Sequence, residues 1–134
     1  YEALPAPVIE LKKYGLWDVL DNLLDCYEGQ RSDFQFVYDQ SLLNLYGVYC
    51  SVLGVEEVPY YQLLNYFTDP QYLKKYLKEP FPDAEFGKLF VRAMQSQERD
   101  EQVKLYRVLA EHVLGRSGGF NIDGWKLRSP LDLL

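Results

Sequence analysis

Between Leu16 and Glu28 the apolar residues Leu16, Trp17, Leu20, Leu23, Leu24 and Tyr27 recur at helical spacing. At about 100° per residue they fall within one arc of about 120°, as expected of an amphipathic helix with one face on a core. The acids Asp18, Asp21, Asp25 and Glu28 are spaced 3, 4 and 3 apart. They form a separate ridge within an arc of about 80°. The helical pattern starts near Val8, after Pro5 and Pro7, and Gly29 stands where a C-terminal stop is expected.

A second helix is predicted from a cap at Ser32 or Asp33 to Leu53, with Gly54 in the stopping position. Its apolar residues, among them Phe34, Val37, Tyr38, Leu42, Leu45, Tyr46, Val48, Tyr49 and Val52, run nearly all the way round. A helix of that kind is surrounded by others, so it is predicted to be the buried centre of the fold. Gly47, Cys50 or Ser51, and Gly54 make a small-residue seam along it, where a neighbouring backbone is expected to approach closely.

Pro59 opens a short predicted helix over Tyr60 to Phe67. Thr68-Asp69-Pro70-Gln71 then reads as a new start, with Gln71 placed to complete a capping box from Thr68. That helix is expected to end before Pro80, because proline disfavours helix at the preceding residue. Asp83 caps the next one, in which Phe86, Leu89, Phe90, Ala93 and Met94 match the amphipathic template. The following stripe, Val103, Tyr106, Leu109, Ala110, Val113 and Leu114, lies roughly opposite when the same turn per residue is carried forward. One straight helix cannot send both stripes to one core. A break is therefore predicted between Gln95 and Asp100, with Ser96 as the cap and Glu98, Asp100 and Glu101 suited to a helix start. The alternative is one continuous helix held between two partners.

Gly115 is expected to close this helix, and Gly118-Gly119 to form a joint. Phe120 to Leu127, around Asp123-Gly124, resembles a small hairpin, which would have to pack on the helices or on a partner. The fold class read from these patterns is all-α: a single-domain bundle of five or six helices around a buried central helix. Residues 1–117 form the helical domain and 118–134 a C-terminal extension or small β-hairpin.

Composition narrows the chemistry. The chain has 134 residues, and 14 Lys and Arg against 20 Asp and Glu give a net charge of −6. That balance argues against direct binding of a nucleic-acid backbone, which calls for a basic excess. Lys74, Lys75 and Lys78 interleave with Tyr72 and Tyr76, but three lysines on such an acidic chain read as a solvated face. The first fifteen residues hold no apolar leader core, and the charge-free run Gln40 to Val55 is too short and polar to span a membrane. The expected location is cytoplasmic, with Cys26 and Cys50 as reduced thiols.

With one histidine and two isolated cysteines, no metal-ligand spacing is present, and no metal or cofactor is expected. His112 has no local nucleophile-base-acid motif around it, and Gly115 to Gly119 lacks the end of a phosphate loop. The chain is therefore read as non-catalytic. What remains is an acidic, tyrosine-rich exterior, with 12 Tyr in all. The candidate partner-binding residues are Asp18, Asp21, Asp25 and Glu28 on the first helix, Glu56, Glu57, Tyr60, Tyr61, Tyr72 and Tyr76 further on, and Trp125. Acids and tyrosines together suit a basic protein partner, such as an enzyme that handles nucleic acid, as its regulator or inhibitor. Two alternatives stand beside this one. The first is a self-associating assembly subunit, joined through the second apolar stripe or the Trp125 tail. The second is a small-molecule carrier or enzyme with a pocket near Tyr38, Tyr46 and His112.

Overall fold

The computed structural model describes residues 6–116. They form an all-α bundle with no strand: α1 (Ala6–Glu28), α2 (Phe34–Leu53), α3 (Leu63–Thr68), α4 (Pro70–Lys75), α5 (Ala84–Gln95) and α6 (Arg99–Arg116). A single 3-10 turn, Tyr60–Gln62, leads into α3. Residues 117–134, with the predicted hairpin, the domain boundary and Trp125, lie outside the described residues.

Helix α2 packs against α1, α5 and α6, and α3 joins the bundle through α5. The core between them contains Leu16, Leu20, Leu23 and Leu24 of α1, Phe34, Tyr38, Leu45, Tyr46 and Tyr49 of α2, Phe86 and Phe90 of α5, and Tyr106 and Leu109 of α6. Each such side chain, fully withdrawn from water, contributes about 1.5–3 kcal/mol before the entropy of ordering it is counted. The stripes predicted for α1, α5 and α6 are thus the faces that are buried. Phe67 and Phe81 extend the core as a cluster of rings with Tyr46, Phe86 and Phe90. Gly87 makes room for it, since a Cβ there would stand 3.1 Å from the Phe67 ring.

The centre is less enclosed than its composition suggested. Along α2, Phe36, Asp39, Gln40 and Asn44 are exposed, leaving one face open to solvent. The small-residue seam is also filled differently: the atoms nearest to Gly47 are not those of a helix backbone. Instead the Glu57 carboxylate lies over it, and a Cβ on Gly47 would approach Glu57 Oε1 to 3.1 Å. The loop carrying Glu57 is pinned to α2 because the Val58 N–H donates to the Tyr46 hydroxyl at 2.8 Å.

Several helix ends differ in detail from the sequence expectation. Helix α1 ends at Glu28, where Gly29 marked the stop, but the left-handed residue is Gln30 (φ 50°), one position further on. The Arg31 N–H then reaches back to the Cys26 carbonyl at 3.2 Å, closing the end. Helix α4 is capped by Asp69, whose carboxylate accepts from the Gln71 N–H at 2.9 Å. Thr68 belongs to α3, where its hydroxyl donates to the Leu64 carbonyl at 2.6 Å, so no capping box forms. The same helix stops at Lys75, well before Pro80. Leu77 turns left-handed (φ 53°) and the Lys78 N–H bonds the Leu73 carbonyl at 2.8 Å.

The predicted break is present between α5 and α6, but Ser96 closes α5 in an extended conformation and does not cap α6. Gln102, fully buried, holds the junction: its amide donates to the Ser96 carbonyl at 2.8 Å and to Gln35 of α2 at 3.0 Å. Asp100 and Glu101 occupy the first turn of α6, where the helix dipole favours acids. Helix α6 does not end at Gly115 but continues to Arg116. A glycine there costs only about 1 kcal/mol relative to alanine, too little to terminate a helix by itself.

Candidate functional site

The two acidic regions singled out in the sequence differ in what surrounds them. On α1, Asp18, Asp25 and Glu28 are exposed and Asp21 is half-buried, so the ridge exists with one member drawn inward. Within α1 from Leu16 to Glu28 no large apolar side chain is itself exposed, and the exposed ring across Val19 and Asn22 is Phe36 of α2. Tyr27, also on α1, turns to α6 and donates its hydroxyl to Asp100. That bond, with burial and the charge of Asp100, raises its pKa.

The second region follows α2. Glu56 and Glu57 are exposed, and next to them stand Tyr60 and Tyr61, 70% and 72% exposed. The two rings meet edge to face at 5.5 Å between centroids, each bracing the other in a defined orientation. Leu64, one turn on, is also exposed. Among the described residues none of Asp18, Asp25, Glu28, Glu56 or Glu57 takes part in an ion pair. All five residues are exposed, and the Glu57 carboxylate also lies over Gly47 of α2.

The remaining predicted tyrosines separate. Tyr72 is buried, with its hydroxyl donating to Gln62, and it presents no ring to a partner. Tyr76 is half-exposed at the end of α4, with the Lys75 ammonium 5.3 Å from its ring centre. Lys74, Lys75 and Lys78 are all exposed there.

One buried cluster of titratable groups among the described residues was not anticipated from sequence beyond Asp83 as a cap. The Asp83 carboxylate is buried at the start of α5, where it accepts from the Phe86 N–H at 3.1 Å. Its Oδ2 also accepts from the Tyr49 hydroxyl of α2, and His112 Nε2 of α6 lies 2.7 Å away. Arg116 Nε is at 3.9 Å. Burial pushes the Asp83 carboxyl up, but the hydrogen bonds from Tyr49, His112 and the backbone outweigh it and hold the pKa down at about 2. Burial also raises the Tyr49 hydroxyl. Three helices thus meet on one carboxylate, whose acceptor capacity is used within the fold. The arrangement clamps α2, α5 and α6 together.

Tyr38 and Tyr46, the other members of the conceived pocket, are equally engaged. The Tyr38 hydroxyl donates to the Ala93 carbonyl at 2.6 Å, and that of Tyr46 accepts from Val58. Cys26 and Cys50 are buried and unbridged. Among the described residues no group of three or more His, Cys, Asp or Glu converges as a metal-holding set. No helix among them is long and apolar enough to cross a membrane. Compared with known protein families, curated proteins and solved structures, the chain matches none of them.

Proposed function

We propose that this chain is a non-catalytic regulator or inhibitor that binds a basic protein partner through Glu56, Glu57, Tyr60 and Tyr61. The exposed Tyr60–Tyr61 pair beside two carboxylates with no ion pair among the described residues carries this reading. Tyrosine offers a large, rigid contact at low entropic cost and is enriched among residues that dominate binding energy. Carboxylates with no ion pair among the described residues give up no salt bridge there when they meet lysine or arginine, and they steer encounter with a positive surface. The α1 ridge of Asp18, Asp25 and Glu28 adds negative field but has no exposed aromatic anchor between Leu16 and Glu28. An enzyme that handles nucleic acid carries a surface of the complementary sign. Two free, buried thiols fit action in a reducing cytoplasm.

The test is affinity capture from the native host with the wild-type chain and with two variants, Glu56→Lys/Glu57→Lys and Tyr61→Ala. The retained protein is then purified and its Kd measured against ionic strength. A basic partner is expected, with affinity falling as salt rises and roughly thirtyfold weaker for Tyr61→Ala. The melting temperature of both variants stays at the wild-type value. Capture equal for all three chains would refute the proposal.

A further inference from the structure

Next to Tyr60 the bundle has a cleft of about 390 Å³ between α2, the 3-10 turn with α3, and α5. Leu42, Leu43, Leu63, Phe90 and Met94 make its floor and walls, Tyr60 its outer edge, and Asp39 is the one charged residue lining it. The Asp39 carboxylate accepts from the Gln35 amide at 3.0 Å and has no ion pair among the described residues. Across the open face of α2 a second, apolar depression of about 250 Å³ lies between Val19 and Phe36, and Gln40 borders both. Phe36 is 68% exposed at its rim.

We infer that this cleft receives a segment of the basic protein partner that carries an apolar side chain and, one helical turn away, a lysine or arginine. The inference rests on the function proposed above and specifies what the partner must present. Asp39 and Leu43 are four residues apart on α2, which places them about 6 Å apart along its axis. Residues three or four apart on a partner helix have the same separation. The apolar anchor enters the cleft over Leu43 and Met94 while the cation meets Asp39. An acidic partner segment is rejected, because its carboxylate would be held against Asp39. The volume accommodates a leucine-, methionine- or phenylalanine-sized anchor.

The experiment is a two-dimensional amide NMR titration of the full chain with a short helical peptide of Leu, Lys and Ala, its Leu and Lys four residues apart. Control peptides replace every Lys with Glu, or every Leu with Ala. The Leu/Lys peptide is expected to shift the amides of Asp39, Leu43, Leu63 and Met94, and neither control to do so. Asp39→Asn is expected to weaken the peptide about tenfold, and Leu43→Lys to abolish the shifts. Several results overturn the inference: shifts confined to Asp18, Asp25 and Glu28, equal binding of the Glu control, or indifference to Asp39→Asn. Shifts of the cleft amides with protein concentration alone would make the occupant a second copy. The same shifts caused by Trp125→Ala without peptide would make it the chain's own C-terminal segment. Either result overturns the inference too. A peptide that responds to Glu57→Lys and not to Asp39→Asn keeps the acidic face of the proposed function and removes the cleft. Capture that ignores Glu57 and Tyr61, beside a peptide that needs Asp39, removes the first and keeps the second.

Discussion

The clamp on Asp83 makes the stability of the bundle depend on acid in a defined window. In the folded chain this carboxyl titrates near 2, against an ordinary 3.8. The folded state therefore binds a proton less readily than the unfolded one. The stabilisation is fully present above the unfolded value and is lost as pH falls through the folded one. At about 1.4 kcal/mol per pH unit, the interval from 3.8 down to about 2 corresponds to roughly 2 kcal/mol. The side chain is only 6% exposed, so solvent screening takes little from that figure. Asp83→Asn isolates the effect. Asparagine still caps a helix as well as aspartate does, so α5 keeps its start while the charge is removed. Urea unfolding of both proteins from pH 6 to pH 2 is the assay. Other acids titrate in both chains and cancel in the difference. The wild-type advantage should shrink by about 2 kcal/mol between about pH 4 and pH 2. In a thermal scan this is about 7 °C for a domain of this size. Parallel curves for the two proteins would show that the hydrogen bonds from Tyr49 and His112 do not hold Asp83 ionised.

Two further perturbations separate engaged buried groups from idle ones. Tyr46→Phe removes the acceptor of the Val58 N–H and leaves a buried donor unpaired, so it should cost about 1–3 kcal/mol in urea unfolding. Tyr106→Phe should be neutral or stabilising by about 1 kcal/mol, since that hydroxyl is fully buried with no hydrogen-bond partner among the described residues. Equal losses for the two would refute the distinction. Burial pushes the Cys50 thiol up to about 12, so at pH 8 its alkylation should wait on unfolding and accelerate with denaturant. Mass spectrometry follows this directly, and rapid labelling of the native chain would contradict the packing around Cys50.

Where the sequence was informative, the signal was local and periodic. The stripes of α5 and α6 pointed in opposite directions, and that conflict alone located the break that the structure has after Gln95. Gly54 was legible as a stop because a left-handed residue is needed there and glycine takes it without strain. Gln30 was not legible for the converse reason: the glycine stood one position too early, and Gln30 adopts the left-handed geometry in its place. Asp69 and Thr68 compete for one cap in adjacent positions, and spacing alone favoured the wrong one. Asp83, Tyr49 and His112 are 34 and 29 residues apart in the two pairs that meet, beyond the reach of any helical period. Phe36 escaped notice because α2 is apolar almost all round. Only the arrangement of the neighbouring helices decides which of its rings is left outside.

The same distinction limits what tyrosine content says about binding. An abundance of tyrosine suggests a sticky exterior, yet most of the described hydroxyls tie one element to another. Tyr38 joins α2 to α5, Tyr49 joins α2 to the cap of α5, Tyr27 joins α1 to α6, and Tyr72 joins α4 to the turn before α3. Tyr66 reaches the Glu79 carbonyl at 3.1 Å and so ties α3 to the segment leading into α5. A ring in such a position buries apolar area and spends its one donor inside the molecule, which leaves it nothing to offer a partner. Removing one would weaken binding only by loosening the scaffold. Tyr60 and Tyr61 make no such tie among the described residues; their rings meet each other, and they sit beside carboxylates that form no ion pair among the described residues. On the proposed function, the substitutions expected to lower affinity without lowering stability are those at this face and at the cleft beside it.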